Sequence, residues 1–538
     1  MSGSPPNNLF NYTSGSWLVN NELRHAERKH EFNDRELRRL AAQSVGRTFQ
    51  DVDTMEKLDE GGFNRVFLIT MLDGFQMIAR TPYPVTVPKF YAVASEVATM
   101  DFLRANGLPV PEVYGYSPTS DNAAKTEYIF MEFVRGTTLT DVWMQLKQAD
   151  LASILRQLVE LESRIMSIAF PAGGSLYYVD DLENAAGGKT SNPIPLNGGR
   201  FCVGPDVRFH MWYGRRSQLD VDRGPYENAE AALAAAARKE IAYLKRFDRP
   251  LLPFNRLKRE AYNYEEQSPL DHIKNLELYL LMISSLIPDD PSVQAFCIRH
   301  PDFQPNNVIV STSAASGQLE IVSLIDWQHA SILPASSSPN YDDPVSQKLI
   351  PPAFPPNAHE MDESELMQAI GLHHARLVHF HYAKYTEALN ELHHKSIWDP
   401  ACVFNRRVFR RAGAPWDAEP HDLKALLIEA TEKWGTRALA GTAASKGVPC
   451  PVAFAADDVS RTKALSERMQ MINENYEGMR GIIGFEGETW VPNDEYEEAK
   501  ERAERFKSKL LMALPEGEMR DKYEAHWFLD DMDESDYM

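Results

Sequence analysis

The amino-acid sequence predicts an α+β chain in two lobes, a small β-rich one followed by a large helical one. Three observations carry this. Residues 51–135 read mostly as short apolar runs punctuated by turn residues. From about residue 138 the apolar period changes to 3.6 over successive long segments. Strands return in the second lobe mainly around one polar loop, "HPDFQPNN", His300 to Asn307.

Length and composition bound the answer. A chain of 538 residues is too long for one core, and at roughly 100–200 residues per domain two or three units are expected. Hydrophobic residues make up 43% and charged residues 25%, as in a soluble globular protein. The formal net charge of −21 repels phosphate backbones and anionic membranes, which argues against nucleic acid as a main partner. Cys202, Cys297, Cys402 and Cys450 form no C-x-x-C pair, so they suggest neither a zinc nor a redox site and fit a reducing compartment. No window approaches 18 consecutive apolar residues, so no integral membrane segment is expected. The first residues have no apolar core, which argues against a secretory signal. They also lack arginine, which weighs against a mitochondrial transit peptide without excluding one. An intracellular protein is expected, with cytoplasm and mitochondrion both open. The sequence leaves the oligomeric state open too.

The elements follow in order. Residues 1–50 are an extension with one helix, "DRELRRLAAQSVG", whose Leu37, Leu40 and Ala41 share a face. Residues 51–135 form the β-rich lobe: a strand ending near Leu58, strands at 65–70 and 75–80 joined by an Asp-Gly turn at 72–74, a helix "ASEVATMDFLRANG" stopped by Gly107, then strands in "PEVYGYS" and "EYIFMEFVRG". Residues 136–335 are the helical lobe, with apolar faces in "LTDVWMQLKQ", "ADLASILRQLVELESRIMSI", "AEAALAAAARKEIAYLKRF" and "LDHIKNLELYLLMISSLI". Within it, 168–226 reads as a surface insertion with short strands in "GGSLYYV" and "GGRFCVG". "NVIV" and "LEIVSLID" read as a strand pair, followed by a Ser/Pro-rich loop, "PASSSPNYDDP". Residues 336–515 continue as helices, and 516–538 read as a solvated acidic tail.

These segments share a chemistry. Phosphoryl transfer needs a group that orients an attacking hydroxyl and takes its proton, and oxygen ligands for a divalent cation. Asp302 fits the first role. Asn307, five residues on, can turn its amide oxygen to the metal, and His300 braces the loop. Asp326 ends the apolar strand "VSLID" and suits a metal ligand. The strand pair brings both carboxylates to one end. In the β-rich lobe, "EGGFN" places Gly61 and Gly62, with Phe63 and Asn64, where backbone N–H groups can approach phosphate oxygens. Such a turn alone is an ordinary hairpin. Arg80 near the next strand's end offers a cation to the phosphates, and Glu96 on the following helix can pair with it. Met131, Glu132, Phe133 and Val134 leave the last strand and can offer backbone groups to an adenine edge.

The set, in this order, resembles the protein-kinase-like fold and more closely the aminoglycoside/choline phosphotransferase family. That family carries an HxDxxPxN loop, matched by His300, Asp302, Pro305 and Asn307, and a metal aspartate followed by Trp, matched by "IDW" at Asp326. Protein kinases have Asp-Phe-Gly there and an A-P-E signature afterwards, which this chain lacks. "LFNYTSGSWLVNNELR", "IARTPYP" and "DRGPYE" resemble the large fungal branch of the family, which includes the "altered inheritance of mitochondria" type proteins. The resemblance spans roughly residues 9 to 510. It implies a kinase-like two-lobe fold, ATP and Mg²⁺ as cofactors, and a small-molecule acceptor with a hydroxyl or amine. Three positions depart from the common pattern: Arg80 stands where protein kinases have lysine, Pro301 where glycine is common, and the Gly-rich turn is short. The alternative is a pseudokinase that keeps the fold and has lost the chemistry.

Two further features have bland readings. His373, His374, His379 and His381 lie on one helical stretch without the acidic residue of an H-E-x-x-H site. Arg215, Arg216 and Arg223 read as a solvated surface linked to Asp220 and Asp222, or as one wall of a substrate cleft.

Overall fold

In the computed structural model, residues 9–185, 193–247, 249–337 and 350–538 are described. The N-terminal extension holds a short strand β1 (Gly15–Trp17) and helices α1 (Asn21–Arg28) and α2 (Asp34–Ser44). Then come β2 (Val52–Glu60), β3 (Asn64–Met71), β4 (Gln76–Pro82), helix α3 (Tyr91–Ala105), β5 (Val113–Ser117) and β6 (Tyr128–Glu132). The five strands pair antiparallel in the order β2-β3-β4-β6-β5. Gly74 takes φ +85°, the left-handed conformation that the turn between β3 and β4 requires.

Period-two alternation splits the sheet's faces. Phe67, Ile69, Ala79 and Phe130 pack with Leu37 and Ala41 of α2 on one side. Ile129 and Met131 join Val97 and Met100 of α3 on the other. Each fully buried aliphatic or aromatic side chain of this kind contributes about 1.5–3 kcal/mol.

The helical part begins with β7 (Thr137–Thr138) and α4 (Leu139–Trp143), which is shorter than the helix expected over 139–148 because the chain turns again before α5 (Gln148–Met166). It continues with β8 (Ser175–Tyr178), α6 (Val179–Ala185), β9 (Ile194–Pro195), β10 (Phe201–Gly204), α7 (Ala229–Phe247), α8 (Pro269–Leu286) and α9 (Pro291–Gln294). Strands β11 (Phe296–Ile298), β12 (Val308–Thr312), β13 (Leu319–Leu324) and β14 (Ile332–Pro334) surround the polar loop. Most of the Ser/Pro-rich loop lies outside the described residues. Helices α10 (Glu363–Leu389), α11 (Glu391–Trp398), α12 (Pro400–Gly413), α13 (His421–Lys433) and α14 (Ala456–Ile483), strand β15 (Trp490–Pro492), and helices α15 (Tyr496–Ala513) and α16 (Glu518–Ala525) complete the chain.

Three expectations are corrected. The described residues of 168–226 are not confined to the surface: β8 and β10 pair with each other, and Tyr177 and Cys202 are buried against Ala94 of α3. The acidic tail is folded back rather than solvated. Trp527, Leu529 and Tyr537 are buried, and Glu534 pairs with Arg24 and accepts from the Asn20 amide at 2.6 Å. The extension and the tail meet because the polar contacts of Asn20 reach Asp531 and Glu534, while β1 pairs with β15.

The arginine cluster is neither solvated nor paired with Asp220 and Asp222. Arg216 is fully buried, its Nε donating to Glu240 at 2.8 Å, and Lys239 reaches the same carboxylate at 2.7 Å. Arg223 donates to the backbone carbonyls of Met211, Leu219 and Arg216. Only Arg215 stays near the surface, against the Ser535 carbonyl. Burial raises the Glu240 pKa, but Lys239 and Arg216 override it and hold the carboxyl well below its ordinary range. Its stabilisation is present above the unfolded-state pKa and is lost as the pH falls toward the folded one. Glu240→Ala would leave two cations buried without their carboxylate, so it is expected to cost about 3–5 kcal/mol, read as a lowered urea midpoint at neutral pH.

Candidate active site

The loop His300–Asn307 joins β11 to β12, and the β12–β13 hairpin returns the chain to Asp326. Val308 pairs with Leu324, and the Ile325 N–H donates to the Asn307 carbonyl at 3.0 Å. This register sets Asn307 and Asp326 at the same end of the hairpin.

His300 is buried and ties the loop to the Asp326 strand. A carbonyl can only accept, so Nε2 donates to the Ile325 carbonyl at 2.7 Å. Nδ1 accepts the Asp302 N–H at 3.2 Å, which fixes the neutral tautomer. Burial lowers its pKa to about 4. Trp327, fully buried, stands against the imidazole with ring centroids 4.5 Å apart. The contacts of His300 go to the loop backbone, Phe303 and Trp327.

Asp302 is exposed at the loop tip. Desolvation, then the nearby charge of Asp326, raises its pKa against hydrogen bonds from Asn307 and Gln304. The Asn307 amide donates to the Asp302 backbone carbonyl at 2.9 Å and to its carboxylate at 3.0 Å. Among the described residues no donor reaches the Asn307 Oδ1, which leaves that oxygen for a cation.

Asp326 takes φ +64°, uncommon for any residue but glycine and tolerated best by Asp and Asn. Its carboxylate accepts from Arg80 Nη2 at 2.5 Å. Arg80 also pairs with Glu96 and donates to Gln328 Oε1 at 3.1 Å. Burial raises the Asp326 pKa, but Arg80 overrides it and keeps the carboxyl below its ordinary range. Glu96 goes the other way: burial pushes it up to about 7 even beside Arg80. One guanidinium shared by two carboxylates serves the more exposed one fully and the buried one partly.

The Gly-rich turn joins β2 to β3. The Gly61 N–H is used, donating to the Asn64 carbonyl at 3.0 Å, so Gly61 cannot offer it to a phosphate. Gly62 faces open space, where a Cβ would meet no protein atom within 4 Å. Phe63 lays its ring against His329 and Phe209, with centroids 5.2 and 5.4 Å away. Asn64 is buried and donates to Gln328 Oε1 at 2.7 Å; with its amide turned over, its oxygen accepts from Arg80 Nη2 at 2.5 Å. At the end of β6, the Glu132 N–H is taken by the Glu112 carbonyl at 2.8 Å and its carboxylate by the Glu112 N–H and Arg104. The backbone groups of Val134 have no partner among the described residues and stay available to a base edge.

Sequence reasoning missed Gln328 and His329. Gln328 joins Arg80 to Asn64, and the His329 ring donates to the Val87 carbonyl at 2.9 Å, so the residues after Asp326 fasten the helical part to β3, β4 and the loop before α3. Their signal was adjacency to "IDW". The helical histidines gather no such role: His374 packs edge-on against Trp143 at 5.6 Å. A groove of about 790 Å³ between Ala353 and Arg376 holds none of the site residues.

The donor set fits a small hard cation. Asp326 supplies a half-exposed carboxylate and Asn307 a free amide oxygen, both hard ligands of the type that holds Mg²⁺.

A two-part α+β chain with this loop, hairpin and arginine–glutamate pair defines a class, and comparison agrees. A sequence model of the phosphotransferase enzyme family matches residues 54–336, more than half of the chain, and the chain belongs to that family. A subtelomeric hrmA-associated cluster protein of Aspergillus fumigatus is 31% identical over 86% of this chain and 94% of its own length. The mitochondrial altered inheritance of mitochondria protein 9 of Yarrowia lipolytica is 28% identical over 67% of this chain and 65% of its own. Among solved structures, a streptomycin–ATP ternary complex of an aminoglycoside phosphotransferase aligns with 73% of this chain and 96% of its own at 12% identity and a TM-score of 0.35, a distant likeness.

Proposed function

We propose that this protein transfers the γ-phosphoryl group of ATP, in a Mg²⁺-dependent reaction, to a hydroxyl or amine of a small molecule. One observation carries the reading: Asp302, Asn307 and Asp326 gather at one end of the β12–β13 hairpin, and Asp326 faces the Arg80–Glu96 pair. Asp302 takes the acceptor's proton as the acceptor–phosphorus bond forms. The bond from the γ-phosphorus to the bridging oxygen breaks, and that oxygen leaves with ADP. Asn307 holds the Asp302 carboxylate in place, and His300 fixes the loop. A divalent ion held by Asp326 and Asn307 would offset the phosphate charge. Arg80 contacts the phosphates, Gly62 leaves them room, and Val134 offers backbone groups to the base. Of the two compartments, the names of the yeast relatives favour the mitochondrion.

A second reading has one observation in its favour. Arg80 is engaged at once by Glu96, Asp326 and Gln328, so a phosphate must displace a partner to reach it. A nucleotide-binding module without turnover would fit that. Thermal unfolding with ATP, with and without Mg²⁺, tests the shared claim: a ligand at 100 times its Kd stabilises by about 2.7 kcal/mol. No shift at millimolar nucleotide sinks the ATP reading. A shift without ATP consumption across a screen of hydroxyl and amine metabolites favours the second.

A further inference from the structure

Helix α3, which carries Glu96, has no solvent face along its middle. Every residue from Ala92 to Met100 is buried, and a helix buried all round must be covered on both sides. The sheet covers one side. The paired strands β8 and β10 cover the other, with Tyr177 and Cys202 packed on Ala94. Toward the helix end, Asp101 accepts from the Tyr178 hydroxyl at 2.7 Å and pairs with Arg200, and Phe102 meets the edge of Phe201 at 5.3 Å. At the helix start, Tyr91 stacks on Trp212 at 5.3 Å.

The start of β8 is fixed to the segment that follows Asp326. Gly174 and Ile332 exchange backbone hydrogen bonds of 2.9 and 2.7 Å, and the Ser175 hydroxyl donates to the Ala330 carbonyl at 2.9 Å. Gly174 sits at φ +143°, where a Cβ would lie 2.2 Å from the Gly204 carbonyl oxygen, so only glycine lets the strands close here.

We infer that the β8–β10 strand pair is a clamp built into the chain: through Tyr178 on Asp101 and Phe201 on Phe102 it holds α3 at the depth and rotation at which Glu96 meets Arg80. The inference rests on the reading of Arg80 and Glu96 as the phosphate-side pair. One residue of helix rotation is about 100°, which would carry Glu96 away from Arg80 and strand a buried carboxylate. The residues of β8 and β10 act on Arg80 through the helix and are positioning residues.

Asp101→Ala and Phe201→Ala test this in the full-length protein, with Tyr178→Phe as the milder variant should either fail to fold. Hydrogen exchange on the ligand-free protein is expected to show residues 91–105 losing protection while β2–β4 keep theirs. Wild-type protection of α3 in all folded variants overturns the clamp, whatever the protein binds. Mg·ATP affinity, measured by calorimetry, is expected to fall roughly tenfold in Asp101→Ala, within the range for residues sharing a network, and to recover largely in Asp101→Asn. In a Glu96→Gln background the same substitution is expected to have little further effect. An equal loss in both backgrounds shows that the strand pair does not act through Glu96 and overturns the inference. If the wild type binds no Mg·ATP, the phosphate reading fails and the exchange data alone decide the clamp.

Discussion

Asp302→Asn is expected to lower turnover by about 10²–10⁴-fold, the usual contribution of a positioned general base, and to leave Mg·ATP affinity within a few-fold of wild type. The substitution keeps shape and removes the one function an amide cannot perform, accepting the acceptor's proton. The surrounding geometry favours a clean result. Asp302 lies exposed at the loop tip, and its backbone N–H, which anchors His300, is untouched. The Asn307 amide, which donates to the carboxylate, can donate equally to an amide oxygen.

The pH profile gives a second handle. The Asp302 pKa is raised, by desolvation first and the Asp326 charge second. Turnover of the wild type should therefore rise with pH through a value above the ordinary aspartate range, as the carboxylate form fills. Asp302→Asn should remove that limb. Single-turnover assays with saturating Mg·ATP and an acceptor found by the metabolite screen check both points. Wild-type rates in the variant would remove Asp302 from the chemistry.

The parts of this protein that could be read from sequence are those specified locally. The apolar alternation of β3 and the Asp-Gly turn after it need only neighbouring residues, and both fall where pattern places them. The loop His300–Asn307 was legible because its polar residues stand between apolar runs. What was not legible depends on partners far away in the chain. Gln328 matters through Asn64, 264 residues earlier. Arg216 and Arg223 look like surface charges because charged residues usually are, yet Glu240 and three backbone carbonyls take them into the interior. Strands β8 and β10, short and glycine-flanked, have the texture of surface strands, and only the burial of Tyr177 and Cys202 against Ala94 shows otherwise. The acidic tail repeats the point: net charge described its composition, while Trp527, Leu529 and Tyr537 decided its place.

Asp326→Ala is expected to abolish the Mg²⁺-dependent part of nucleotide binding, by about 100-fold or more, since even residues behind a metal ligand are worth 10–100-fold in affinity. Two effects of the substitution pull in opposite directions. It removes the only carboxylate of the proposed metal pair, and Asn307 alone gives one neutral oxygen. It also frees Arg80 from one of its partners, leaving Glu96 and Gln328. The freed guanidinium is then open to phosphate without a metal. Metal-free ATP should thus bind the variant as well as, or better than, it binds wild type, while Mg²⁺ adds nothing. Calorimetric titrations with ATP plus Mg²⁺ and ATP plus EDTA read both halves. The backbone needs its own control, because Asp326 sits at φ +64°, where alanine fits less well than Asp or Asn. Asp326→Asn keeps the conformational tolerance and a hydrogen-bond acceptor for Arg80. A result in which Asn and Ala behave alike toward Mg²⁺ assigns the loss to the missing charge. If Mg²⁺ strengthens ATP binding by the wild-type factor in both variants, the cation is held elsewhere and the roles given to Asp326 and Asn307 are wrong.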